Sequence, residues 1–225
     1  MKITFPKWGA VPLALLVSAA GATTVLAQDP SSSQSSPAAA TPAQQPEKKA
    51  DPSIAQRKEN QQDRIANGVK SGQLTPGETA NLENKEAAIN KETRTDRAAN
   101  GGKLTGAEKT QINQQQNQMS KQIYADKHNA NTAHYGNNKV GRRRENQQDR
   151  IAQGVKSGQL TPGETAKLEK QQKGINKQVA SDRKANGGTL TASEKKQVNK
   201  EQNQASRNIY KKKHNAATQP NAKKP

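Results

Sequence analysis

This chain is organised around an internal repeat. Residues 59–130 align with residues 145–216 at a constant offset of 86 and without a gap, and 48 of the 72 aligned positions are identical. A gapless copy of this length indicates a unit that must keep its spacing, which favours a fold over an unstructured tail. We therefore predict two tandem units of one fold, a first copy over residues 51–130 and a second copy over residues 143–216.

A seven-residue motif, Gly-x-Leu-Thr-x-x-Glu, occurs twice in each copy. The motif begins at Gly72, Gly102, Gly158 and Gly188. Glycine ends a helix because it accepts the left-handed conformation, and Thr followed three residues later by Glu forms the capping box that begins the next helix. The predicted capping pairs are Thr75 with Glu78, Thr105 with Glu108, Thr161 with Glu164, and Thr191 with Glu194. Each motif is therefore expected to join two helices.

Between these hinges each copy has three segments with helical patterning. We expect helices near residues 53–67, 76–99 and 106–129 in the first copy, and near 143–153, 162–185 and 192–215 in the second. Ile112, Met119 and Ile123 fall on one narrow face at helical spacing. Short connections favour antiparallel neighbours. The predicted fold class is therefore all-α, with each copy an up-down-up three-helix bundle.

The expected core of such a bundle is small. In the first copy it consists of Ile65, Val69, Leu74, Leu82, Ile89, Leu104, Ile112, Met119 and Ile123, with Tyr124 covering the open end. Because burying one Leu or Ile contributes about 1.5–3 kcal/mol, these few residues support a marginal domain. An alternative is that the middle helices project as hairpins with little mutual packing.

The first 27 residues have the form of a secretory signal peptide. Lys2 and Lys7 precede a short apolar run over residues 11–20, and residues 25–27 offer a cleavage site before Gln28. A membrane anchor would need about 18 or more uninterrupted apolar residues, and this run is broken by polar residues and glycine. We therefore expect an exported protein, periplasmic or extracellular, with no transmembrane span after cleavage.

The remaining chain is poor in apolar residues. From Gln28 onward Leu, Ile, Val and Phe account for 19 of 198 residues, and 35 basic against 19 acidic side chains give a net charge of +16. Low apolarity with high net charge is typical of disorder, so order must come from caps and repetition. Residues 28–50 are expected to be a disordered Ser/Pro/Ala/Gln linker, residues 131–142 a linker between the copies, and residues 217–225 a tail.

No catalytic arrangement can be recognised in the sequence, and there is no Gly-rich phosphate loop. We therefore predict that the protein is not an enzyme and uses no cofactor. Gly72 and Glu78 fit the sixth and twelfth positions of a calcium loop, but one carboxylate remains where a hard dication needs several. His128 and His214 lie next to Lys and lack a second ligand nearby. No metal ligand is assigned, and degenerate EF-hand-like hairpins remain an alternative.

Positive charge is concentrated in the second copy. Residues 57–130 carry 12 basic and 9 acidic side chains, a net charge of +3, whereas residues 143–216 carry 17 and 7, a net charge of +10. A basic face on an exported protein can bind anionic lipid headgroups, acidic polysaccharide or nucleic acid without sequence specificity. The candidate polyanion-binding residues are Arg142, Arg143, Arg144, Lys170, Lys173, Lys177, Lys195, Lys196, Lys211, Lys212 and Lys213. Equally, such lysines keep a weakly folded chain in solution.

The repeat also resembles a group of uncharacterised exported bacterial proteins. The resemblance lies in Arg-Ile-x-x-Gly-x-x-Ser-Gly-x-Leu-Thr-x-x-Glu at residues 64–78 and in Asn-Gly-Gly-x-Leu-Thr at residues 100–105, and it covers both copies. It implies a helical repeat and brings no known activity, ligand or catalytic residue. A second functional hypothesis therefore stays open, a structural or protein-interaction module whose apolar stripe is completed by a partner chain.

Overall fold

The computed structural model describes residues 53–220, which form six α-helices and, within that range, no strand. The helices are α1 (Ile54–Lys70), α2 (Pro76–Ala99), α3 (Gly106–Lys127), α4 (Lys139–Lys156), α5 (Pro162–Ala185) and α6 (Ala192–Lys213). The all-α class and the three helices in each copy are thus confirmed. The expected signal peptide, the expected linker over residues 28–50 and the last five residues of the tail lie outside the described residues.

The hinge motif begins four of the six helices. At Thr75 the side chain accepts a hydrogen bond from the backbone N–H of Glu78, and the Glu78 carboxylate accepts one from the backbone N–H of Thr75 at 3.0 Å. The same reciprocal pair of bonds is present at Thr105, Thr161 and Thr191. The boundaries of α2 and α5 consequently coincide with those expected from the sequence.

The fourth helix begins earlier than expected, at Lys139 rather than near Arg143. The Asn138 side chain accepts a hydrogen bond from the backbone N–H of Gly141 and so caps this helix. Asn and Gly are usually turn residues, which is why the sequence suggested a linker here. As a result, the first turn of α4 occupies the end of the segment expected to connect the two copies.

Each hinge after α1 and α4 is closed by a leucine that packs over a glycine. Leu74 is fully buried, and a Cβ added at Gly68 would lie 2.7 Å from its side chain. The equivalent Leu160 has the same relation to Gly154. Gly72, at φ 72°, then turns the chain towards α2. A larger residue at Gly68 or Gly154 would therefore collide with the buried leucine unless that side chain moved.

The two copies pack against each other through equivalent helices. The largest helix–helix interface is that of α2 with α5, followed by that of α1 with α4. The N-terminal end of α2, over residues 75–81, lies beside the C-terminal half of α5, so these two helices are antiparallel. Equivalent helices that pair antiparallel are related by an approximate two-fold axis, as the subunits of a symmetric dimer are. The alternative of projecting middle helices with little packing is therefore wrong.

The expected core is buried, but it is shared between the copies. Eight of the nine residues predicted for the first copy are buried, and Leu104 is partly buried against them. Ala152 of the second copy joins this cluster, and Ala66 of the first copy joins the cluster of the second. The prediction for Tyr124 is wrong, because its side chain is 62% exposed and stacks on His128 at 4.1 Å instead of covering the bundle.

Candidate anion-binding surface

The structure places the candidate basic residues on the three helices of the second copy, in different environments. Seven are exposed, three are half-buried and one is buried. The exposed residues are Arg142, Lys170, Lys173, Lys177, Lys195, Lys196 and Lys211. Arg143, Lys212 and Lys213 are half-buried, and Arg144 is 5% exposed.

Two of the three half-buried residues connect helices. Arg143 donates to Asn199 Oδ1 at 3.2 Å and to Asn203 Oδ1 at 2.6 Å, which connects α4 to α6. Lys212 Nζ lies 3.4 Å from Glu164 Oε1, the single ion pair within residues 53–220. These side chains have partners in the fold, so they offer less to a ligand than the exposed lysines do.

A row of exposed lysines follows α5. Lys170, Lys173 and Lys177 are spaced by three and four residues, so they share one face of the helix. The stem of Lys173 crosses to the first copy, where its Cδ would lie 3.4 Å from a Cβ added at Gly77. Because no carboxylate pairs with these lysines in the described part of the chain, their charges remain available to an anion.

A second row lies on α6 and was only partly recognised in the sequence. Lys196, Lys200 and Arg207 border a shallow depression on this helix, together with Lys195. Their spacing of four and seven residues is helical and places them on one face. Arg207 was not among the candidate residues, although this periodicity would have identified it.

The two copies also enclose a groove, which we call the inter-copy groove. It has a volume of about 670 Å³ and lies between the N-terminal end of α2, the connecting segment 131–135 and the C-terminal half of α5. Its cationic side chains are Arg144, Lys173, Lys177 and Arg183. Sequence analysis had placed three of these among separate charge clusters and had missed Arg183, so the groove itself could not be predicted.

Arg144 is the buried residue among the cations that line this groove. Its Nη2 donates to the backbone carbonyl of His134 at 3.1 Å, and its guanidinium carbon lies 5.0 Å from the centre of the Tyr135 ring. Its Nε is buried and has no hydrogen-bond partner. Burial lowers the pKa of Arg144, the interaction with Tyr135 opposes this effect, and the charge of Arg183 adds a smaller lowering effect. This arginine is thus separate from the exposed surface to which the sequence assigned it.

The hinge carboxylates are committed to capping. Although partial burial acts to raise the pKa of Glu78, hydrogen bonds from Thr75, Asn129 and Asn131 lower it. The Nδ1 atom of His128 also has a partner in the fold, because it lies within hydrogen-bond distance of the carbonyl oxygen of Tyr124, at 2.7 Å. Within residues 53–220 no group of three His, Cys, Asp or Glu side chains is placed to hold a metal ion.

One cluster was not anticipated at all, three carboxyl groups buried between α2 and α5. Glu83, Glu86 and Glu169 are fully buried. Gln62 donates to Glu83 at 3.1 Å and Gln148 donates to Glu169 at 3.0 Å, while the second oxygen of each carboxyl has no partner. Because they are inaccessible to solvent, these groups cannot act on a substrate.

Burial dominates the titration of this cluster. It raises the pKa of Glu83 well above its usual range, and the charges of Glu86 and Glu169 raise it further against the opposing hydrogen bond from Gln62. Burial likewise raises the pKa of Glu86 to about 7, although the charge of Lys58 acts to lower it. The pKa of Glu169 is raised by burial to about 8. The interface between the copies therefore favours protonated carboxyl groups.

Comparisons with known proteins add no functional assignment. The chain matches no protein-family model, and no curated protein or solved structure is significantly similar to it. Among the helices that the structure describes, none is sufficiently long and apolar to cross a membrane.

Proposed function

We propose that this protein is an exported, non-enzymatic helical repeat protein that binds anionic polymers through the second copy. The observation that carries the proposal is the contrast between two versions of one scaffold. The first copy has a net charge of +3 over residues 57–130 and the second a net charge of +10 over residues 143–216. Export is proposed from the signal-like segment of the sequence, which lies outside the residues that the structure describes.

The added charge lies where packing does not require it. At exposed positions Lys170, Lys196 and Lys200 of the second copy, the first copy has Asn84, Thr110 and Gln114. Equivalent helices form in both copies over almost the same lengths, with or without these lysines. A fold that forms without the charges gives no structural reason for them, which supports a role in binding.

Binding of this kind depends on counterion release. Lysines without carboxylate partners attract phosphate, sulfate or carboxylate groups along a polymer and displace its bound cations, so affinity falls steeply with salt. Reading of a base sequence is not part of the proposal. Stacking on bases requires exposed aromatic side chains, and the large exposed ones within residues 53–220 are Tyr124 and Tyr210.

A reciprocal exchange of residues between the copies tests the proposal in the full chain. The test variant replaces three exposed lysines of the second copy by the first-copy residues, as Lys170→Asn, Lys196→Thr and Lys200→Gln. The control removes three exposed charges from the first copy by the same rule, as Lys85→Gln, Arg94→Ala and Lys103→Thr. Both variants lose three positive charges, so a difference between them reports position rather than net charge.

Binding to duplex DNA and retention on heparin are measured over a range of salt concentrations. We expect the test variant to reduce the magnitude of the slope of log association constant against log salt concentration by up to about three, since each phosphate contact contributes about 0.9. The control should lower it by less than about one. Equal losses in the two variants, or no retention of the unmodified chain on either polymer, would remove the proposal.

The alternative of a protein-interaction module receives no comparable support. This alternative predicted that a partner chain covers the Ile/Leu stripe of each copy. The structure buries the stripe within and between the copies, through the α2–α5 and α1–α4 interfaces.

A further inference from the structure

We infer that the inter-copy groove binds a phosphate group of the anionic polymer above the buried guanidinium of Arg144. The inference rests on the proposed function and assigns it a defined site. Arg144, Lys173, Lys177 and Arg183 line the groove, whereas Glu78 is the one carboxylate among its lining residues. Hydrogen bonds from Thr75, Asn129 and Asn131 keep that carboxylate ionised, so it offsets one of the four positive charges and leaves an excess of cations in the groove.

Comparison of the two copies shows what Arg144 lacks. Its equivalent in the first copy is Lys58, whose charge interacts with the buried carboxyl group of Glu86. The second copy has Gln172 at the position of Glu86, so no acid is supplied to Arg144. Buried charges are normally paired, and Arg144 is 5% exposed with an unpartnered Nε. A bound anion would replace the missing acid.

The wall of the groove provides a second reason for an anion. Lys173 lies across Gly77 in the first turn of α2, and its Nζ would be 3.5 Å from a Cβ added there. The N-terminal end of a helix carries a partial positive charge, which disfavours a cation and favours an anion. A phosphate placed between Lys173 and this helix end would be attracted by both.

The size of the groove and its several cationic donors favour a phosphate group over a smaller anion with fewer oxygens. Its volume of about 670 Å³ lies in the range of about 300–1,000 Å³ that is usual for small-ligand sites. A phosphate group presents several oxygens to arginine and lysine, and it carries one charge within a polymer and up to two at a terminus, which suits a site with an excess of cations. One phosphate group of a polymer, with the residue that bears it, would fill this space.

Calorimetric titration of the full chain with sodium pyrophosphate at constant ionic strength tests the site. We expect one binding site per chain. Lys177→Ala with Arg183→Ala should raise the dissociation constant by about 10-fold or more, because two charge-assisted contacts to the anion are lost. The matched control is Lys91→Ala with Arg97→Ala at the equivalent positions of the first copy, which should change it by less than about twofold.

A third variant tests the role of Arg144 without removing it. Gln172→Glu places an acid where the first copy has Glu86, whose pKa burial raises to about 7. Measured above about pH 8, where such a buried acid is ionised, the variant should bind pyrophosphate about 10-fold more weakly because the site then supplies its own anion. Circular dichroism melting serves to establish that the variant is folded. A folded Gln172→Glu variant with unchanged affinity would overturn the assignment of Arg144 to the site.

The outcomes separate this inference from the proposed function. If the unmodified chain is retained on heparin but does not bind pyrophosphate, the groove assignment is wrong and polyanion binding stands. If pyrophosphate binds but heparin and DNA do not, the polymer proposal fails by itself. Equal affinity for citrate and pyrophosphate would overturn the preference for phosphate, and equal losses in the Lys177/Arg183 and Lys91/Arg97 variants would overturn the location.

Discussion

The two copies have the same helices and hinges, and they differ in where charge is placed. In the first copy the inward-facing cation Lys58 interacts with the buried acid Glu86, whereas in the second Arg144 is buried and position 172 is Gln. Glu83 and Glu169, which lie in the interface between the copies, are retained in both. The difference teaches that both copies keep the hinges and the interface acid, while charge has diverged at exposed and at buried positions without changing the helices.

The strongest test of this comparison is truncation of an equivalent core residue in each copy. Ile65 and Ile151 are both fully buried. Ile65→Ala and Ile151→Ala should each lower the free energy of unfolding by about 2–5 kcal/mol, from lost burial and the cavity left behind. Because the core is shared between the copies, either variant should shift one common transition, which is measured by urea unfolding followed by circular dichroism.

The milder change Ile65→Val is the control and should cost about 0.5–1.5 kcal/mol. Two separate transitions, of which only the substituted copy's moves, would mean that the copies fold independently. Such a result would contradict the shared core, although it would leave the helices themselves intact.

Much of this fold follows from local sequence signals, because a hinge motif or an apolar stripe is a property of neighbouring residues. The capping boxes predicted the first residues of four helices, and the apolar stripe predicted the buried residues. The stripe does not say what covers it, so the pairing of α2 with α5 could not be derived. Arg144 was grouped with its exposed neighbours in a charge run, although it precedes Gln147, Gln148 and Ile151 at helical spacing on the buried face of α4.

The buried acids were missed for a similar reason. Glu83 follows the core residue Leu82 directly, a position that would be solvated in an isolated three-helix bundle and is covered here by the other copy. The basic residues were identified as a set, but the groove joins residues from α4, α5 and the connecting segment to the end of α2. Such a site depends on the relation between the two copies, which the sequence of either copy does not contain.

The second prediction concerns pH, which acts on the carboxyl groups at the interface. Burial raises the pKa of Glu86 to about 7 and that of Glu169 to about 8. The folded chain therefore binds protons more tightly than the unfolded chain, so the stability that these groups provide is complete in acid and is lost as pH rises towards 8. We expect a lower urea midpoint at pH 8 than at pH 5.

Substituting the second copy's residue at position 86 of the first copy shows how much of this pH dependence comes from Glu86. Glu86→Gln removes one titrating group and reproduces position 172, so it should raise stability at pH 8 by up to about 3 kcal/mol, at about 1.4 kcal/mol per pKa unit. It should change little at pH 4, where Glu86 is already protonated. Loss of stability at pH 8 in this variant would show instead that the charge attraction between Glu86 and Lys58 outweighs the cost of burial.

The smallest expected effect concerns the ion pair that only the second copy has. Lys212 Nζ lies 3.4 Å from Glu164, whereas the first copy has Asp126 at the equivalent position. Lys212→Ala should cost about 0.2–1 kcal/mol in low salt, as is usual for a pair near the surface, and nearly nothing in about 1 M salt, where screening is strong. Its neighbour Lys211→Ala is the control, since Lys211 is exposed and makes no ion pair within the described residues. If Lys212→Ala still lowers the free energy of unfolding in high salt, the side chain stabilises the end of α6 by packing of its half-buried stem. In that case the two copies differ at this position in contact area rather than in charge.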